Sequence, residues 1–143
     1  MNRKTFIKEG EIESVKEALN GFHKDIKFTY EVETDGKIPF LDVNIIRKDD
    51  GTFDTDVYRK KTDSNIYINW EAFASRSWKI GTLKGLFRRA LLVCSTEQSQ
   101  AKEIKFLKHV FTKINGYPSR VVNDTLHDVR NKINIELQQQ QQQ

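Results

Sequence analysis

Apolar and polar residues alternate from Ile26 to Glu33. Ile26, Phe28, Tyr30 and Val32 fall on one side, with Lys27, Thr29, Glu31 and Glu33 on the other. That period predicts a half-buried strand. Asp35-Gly36 follows as a hairpin signal. The run "IPFLDVNIIRK" predicts a second strand, apolar on both faces, with Pro39 near its start, where a missing N–H matters less. Asp49-Asp50-Gly51 marks another turn. "TFDTDVYRKK" predicts a third strand, alternating Phe53, Thr55 and Val57 with Asp54, Asp56 and Tyr58. Two Asp-Gly turns joining three such runs predict an antiparallel meander. Ahead of it, Ile12, Val15 and Leu19 share one helical face, and Asn20-Gly21 stops that helix.

Past residue 71 the period changes, apart from a possible short strand at "NIYINW". Ile80, Leu83, Phe87, Ala90, Leu91 and Cys94 repeat at helical spacing, with Lys84 and Arg88 flanking the stripe and Arg89 pointing away. Ser95 with Gln98 predicts a capping box for a second helix. That helix would bury Ala101, Ile104, Leu107, Phe111 and Ile114 and end at Gly116. Tyr117-Pro118 forces a corner. Ser119 caps a third helix, with Val122, Leu126, Val129 and Ile133 inside. The predicted class is therefore α+β: a short helix, a three-stranded antiparallel meander, then a three-helix bundle with a corner of helix-turn-helix type. The change of period divides the chain into a strand module (1–71), a helical module (72–137) and a glutamine tail (138–143), disordered or a frayed continuation of the helix.

The 143 residues suffice for one domain with a real core. Charge sharpens the division. Residues 1–71 hold 12 basic and 15 acidic side chains, and residues 72–143 hold 12 and 5, nets of −3 and +7. No acid occurs between Glu71 and Glu97, whereas Arg76, Lys79, Lys84, Arg88 and Arg89 fall there. A basic half on a mixed chain points to a polyanion partner, most often nucleic acid. The lone Cys94 excludes an internal disulfide and suits the nucleus or cytoplasm. No apolar run has the length of a membrane span.

Candidate chemistry is sparse. Asp49 and Asp50 precede a turn glycine, the ordinary use of Asp. Asp54 and Asp56 alternate on a solvated strand face. Asp42 interrupts an apolar strand, as a metal-binding carboxylate or as an acid bonded to backbone, Arg47 or Arg59. Cys94 ends an apolar face and is expected as a packed thiol. His23, His109 and His127 lack partners in sequence, and no phosphate-binding glycine loop occurs. No catalytic residue, metal, cofactor or small-molecule substrate is expected, and no membrane partner. Gly81 and Gly85 each cost about 1 kcal/mol in a helix interior. Either Gly81 is near the helix start and Gly85 admits a close strand, or both let the helix approach a nucleic-acid backbone with Lys79, Lys84 and Arg88 reaching phosphates. Trp78 would be a core lid or a stacking platform.

The ordered run "LNGFHKDIKFTYEVETDGKIPFLDVNIIRKDDGTFDTDVYRKKT", "YINW", "WKIGTLKGLFRRALLVCS" and "NGYP" resembles the C-terminal part of a Penelope-like retroelement reverse transcriptase, from Leu19 to about Val122. Two departures stand out. Lys61 replaces the family's proline after YRK, and "EAFASRS" replaces its Ser-His-His-Pro type segment. The Tyr-x-Asp-Asp hairpin of the polymerase centre and the GIY-YIG endonuclease signature do not occur. The resemblance implies the last helix and strands of a palm followed by a thumb-like helical module. It implies a non-catalytic fragment that holds a template–primer duplex or RNA–DNA hybrid by its backbone, through Arg76, Lys79, Lys84, Arg88, Arg89 and Arg120. Two alternatives stay open: an independent helix-turn-helix DNA-binding protein using Arg120, Asn123, His127 and Arg130, or a decayed retroelement fragment without a function of its own.

Overall fold

The computed structural model describes residues 5–141. A 3-10 turn (Glu9–Glu11) leads into α1 (Ile12–Asn20), followed by β1 (Lys37–Phe40), β2 (Val43–Arg47) and β3 (Phe53–Val57). The helical part holds α2 (Arg76–Val93), α3 (Glu97–His109) continued by a π turn (Val110–Ile114), and α4 (Ser119–Gln141). The class is α+β as predicted. The sheet has antiparallel order β1-β2-β3, with Ile38 opposite Ile45 and Ile45 opposite Thr55.

The third strand falls within its predicted run, but the first two are not the ones predicted. Residues 26–33 form no ladder, and "IPFLDVNIIRK" supplies two strands folded about Leu41-Asp42. The reason lies in Pro39. Asp35 and Gly36 both take positive φ, as a two-residue hairpin turn requires, and Thr34 and Lys37 exchange both backbone bonds, at 2.9 and 3.0 Å. Lys37 thus turns its N–H and C=O away from β2. Two residues on, Pro39 faces the same way and has no N–H to offer Val32. The alternation of Ile26 to Val32 is that of a strand, but the neighbouring strand lacks the donor that would continue the ladder from Thr34.

Leu41, within the run predicted as a strand apolar on both faces, sits instead at φ +57 on the tip of the β1–β2 turn, exposed. A bulky residue at positive φ is an outlier. The turn is held by Tyr58 N–H donating to the Asp42 carbonyl at 2.9 Å. Phe28, also expected inside, is exposed.

Among the described residues, every buried one lies at or beyond Lys79. The core joins Leu83, Phe87 and Ala90 of α2 to Ile104, Leu107, Val110 and Phe111, to Tyr117, and to Val122, Leu126, Val129 and Ile133 of α4. The third-helix face is as predicted. The second differs. Ala101 and Ile114 are exposed, while Glu103, Val110 and Asn115 are buried. The π turn widens the helix by one residue, which rotates Ile114 out and brings Asn115 in. The cap of α3 is Thr96, not Ser95: its hydroxyl accepts from Ser99 N–H at 3.2 Å. Ser95 instead bonds β3, its hydroxyl accepting from Thr55 N–H and its N–H donating to the Thr55 carbonyl, both at 2.9 Å.

Two further contacts join the halves. Thr55 Oγ1 donates to the Val93 carbonyl at 2.5 Å. Arg59 forks onto the Glu103 carboxylate through both terminal nitrogens, with its guanidinium 4.3 Å from the Phe106 ring centre. At the far end, α4 carries helix through Gln138 to Gln141, so the described part of the glutamine tail is helical.

Candidate nucleic-acid interface

The segment "NIYINW" forms no strand; it is a strap across the corner after α3. Asn115 accounts for this. Its side-chain oxygen accepts from Tyr67 N–H at 2.8 Å, and its side-chain nitrogen donates to the carbonyls of Asn65 and Val110, both at 3.0 Å. Its own carbonyl accepts from Trp70 N–H at 2.9 Å. Gly116 then takes φ +73, open to few residues other than glycine. Tyr117 packs edge-on to Phe111 and donates its hydroxyl to the Ile68 carbonyl at 2.9 Å. Tyr67 stacks on Phe111, and Trp70 lies against Tyr117. Within "NGYP", Asn115 is therefore an amide clamp, Gly116 reverses the chain, Tyr117 is a buried anchor and Pro118 leads into α4.

The strap also determines the fate of Lys79, which was expected to reach phosphate. It is buried, with Nζ donating to the carbonyls of Trp70 and Ala72 at 2.5 and 2.8 Å and lying over the Trp70 ring. An ammonium held by two internal carbonyls has no reach into solvent, so Lys79 leaves the candidate set.

The other candidates stand apart from one another. Arg76 is exposed at the start of α2, where Ser75 caps the helix by accepting from Trp78 N–H, and lies over the outer side of Trp70. Lys84 is exposed and enters no ion pair among the described residues. Arg88 pairs with Glu136 of α4 at 2.8 Å, and this bond holds the Glu136 carboxyl below its ordinary range. Arg89 does not point away from the fold. It turns toward the β1–β2 turn, 3.9 Å from Asp42, and its Nε is buried without a hydrogen-bond partner among the described residues. Asp42 is itself exposed and bonds neither Arg47 nor Arg59. Arg120 projects almost fully into solvent, 3.7 Å from Asp124 one turn on.

The two glycines of α2 face open space. A side-chain carbon at Gly81 or Gly85 would meet nothing within 4 Å, so neither admits a packed strand. Lys84 and Arg88 each stand three residues past one of these glycines, so each cation borders bare backbone. Trp78 and Leu92 are exposed on the same outward side; Trp78 is no core lid. On α4, Arg120, Asn123, His127 and Arg130 are all exposed and share a stripe that flanks the buried face of Val122, Leu126 and Val129.

Residues 66–127 match the family model of the animal helix-turn-helix domain. This stretch carries a helix-turn-helix domain. It begins with the strap and takes in α2, α3 and the first part of α4, so the strap bound by Asn115 belongs to the unit. A helix-turn-helix domain suggests nucleic-acid binding. No curated protein and no solved structure matches the chain. Among the described residues no helix is long and apolar enough to cross a membrane.

Proposed function

We propose that the chain is a nucleic-acid-binding, non-catalytic piece of a retroelement reverse transcriptase, with the helical part acting as a thumb against a duplex or RNA–DNA hybrid. The observation that carries this reading is the outward side of α2. Bare backbone at Gly81 and Gly85 lies beside Lys84 and Arg88, and no carboxylate from α2 itself competes. Arg76 and Arg120 add exposed cations at the starts of α2 and α4. Contacts to phosphate fix position without reading sequence. Arg88 must exchange Glu136 for phosphate, which leaves Lys84 as the first contact.

Binding should weaken steeply with salt, by about −0.9 in log K per log salt for each phosphate contact on B-DNA. The Lys84→Ala, Arg88→Ala double change should weaken binding equally on unrelated duplexes and flatten that slope by about two. Fluorescence anisotropy over a salt series, on two unrelated duplexes and one hybrid, measures both. An unchanged slope removes α2 from the interface. Purified chain should extend no primer with Mg²⁺ or Mn²⁺; extension would refute the non-catalytic reading.

A second reading rests on the α4 stripe. Arg120, Asn123, His127 and Arg130 are exposed together, and Arg120 and Asn123 lie in the first turns, where a recognition helix meets base edges. A loss confined to one sequence after Asn123→Ala would favour this independent DNA-binding protein.

A further inference from the structure

We propose that two copies of this chain pair through residues 26–33, strand to strand and antiparallel, to form a closed dimer. The segment is shaped as a strand but bonded on one side only. Asn20 bonds both backbone groups of Phe28, accepting from its N–H at 2.5 Å and donating to its carbonyl at 3.3 Å. Both groups of one residue can meet one amide only when the chain there is extended. Thr34 likewise offers both its groups to Lys37. Phe28 and Thr34 have the same parity, so the odd residues, Lys27, Thr29, Glu31 and Glu33, turn their N–H and C=O to the opposite edge. Among the described residues, the backbone groups of Thr29 and Glu31 enter no hydrogen bond. Free edges of this kind are templates for another strand.

The sequence of the edge is complementary to itself. An isologous antiparallel pair places residue i against j and j against i. With Thr29 on the two-fold axis, Lys27 of each copy faces Glu31 of the other, and neither side chain has an ion-pair partner within its own chain among the described residues. The same register sets Ile26 opposite Val32 and Phe28 opposite Tyr30, aligning the apolar sides of the two strands, whose residues are 38–58% exposed in the single chain. Cross-strand aromatic and opposite-charge pairs are the favourable units of a sheet. A shift of the axis to Tyr30 would place Lys27 against Glu33, already bonded to Arg47, and Thr29 against Glu31. Asn20 and Lys37 occupy the other edge at Phe28 and Thr34, so pairing stops at two copies.

Analytical ultracentrifugation of the full chain should show a monomer–dimer equilibrium. Thr29→Pro removes the central donor and should give monomer only, with an unchanged circular dichroism spectrum. Lys27→Glu should weaken the dimer roughly tenfold, since two attractive pairs become repulsive. Adding Glu31→Lys to it should restore the affinity, a rescue that a merely structural role for either residue would not produce. A monomer at every concentration, an assembly larger than two, or a dimer indifferent to the charge changes would overturn the proposal.

Discussion

The side-chain oxygen of Asn115 accepts from the backbone N–H of Tyr67 at 2.8 Å, across 48 positions of sequence. One buried amide thereby ties the strap before α2 to the corner before α4. Asn115→Ala would leave the Tyr67 N–H and the Asn65 carbonyl unpaired, at a cost of about 3 kcal/mol. Urea unfolding of the variant beside the parent measures this directly.

Phe111 touches Tyr67 and Tyr117 and is fully buried. Phe111→Ala should destabilise by roughly 3–5 kcal/mol. A melting temperature equal to that of the parent would contradict the packing described for α3.

Lys79 and Lys84 should separate stability from binding. Lys79→Met strands the carbonyls of Trp70 and Ala72 and should cost about 2 kcal/mol while leaving the salt slope as it was. Lys84→Ala should do the reverse, keeping the melting temperature and flattening the slope by about one. Thermal melts and salt titrations on both variants test the pair.

The Arg59–Glu103 fork is the most buried ion pair joining the two halves. Removing one partner leaves a charge without its counter-ion, so Glu103→Ala should cost roughly 3–5 kcal/mol. The double change Arg59→Met, Glu103→Leu should recover most of that loss. Chemical unfolding of the single and double variants decides whether the charge or the packing matters.

Burial pushes the Cys94 thiol above its ordinary range. The folded state therefore holds this proton more tightly than the unfolded one. The associated stability is complete below the unfolded thiol's pKa and is lost as pH rises through the folded value. Iodoacetamide should label native chain more slowly than urea-unfolded chain at mildly alkaline pH. Equal rates would show a thiol that is not shielded.

The helical part is largely legible in the sequence. Val122, Leu126, Val129 and Ile133 keep a helical period over more than three turns, and they are the buried face of α4. The β2–β3 connection also follows from its Asp-Gly turn, whereas the β1–β2 turn at Leu41-Asp42 has no such signal. Strand identity does not follow, because one proline's missing N–H outweighs a clean alternation, and the effect depends on which way residue 39 faces. Lys79 departs from expectation for a related reason. Sequence shows that a lysine lies among cations but not that two carbonyls, seven and nine residues back, fold over it. The strap carries one visible sign: aromatic Tyr67 and Trp70 occur where no period assigns them a face.

The π turn at Val110–Ile114 holds one residue more than an ordinary helix would need to bring Asn115 inward. A helix steps about 100° per residue, since about 3.6 residues complete a turn. Deleting a single residue such as Thr112 would let the stretch relax to ordinary helix while preserving nearly all of its chemistry. The wider turn and the lost residue cancel, so Asn115 would keep its bearing, its amide still aimed at residues 65–70. A frame-keeping loss of one codon here should therefore do less harm than the same loss earlier in α3, where every later residue would swing by about 100°.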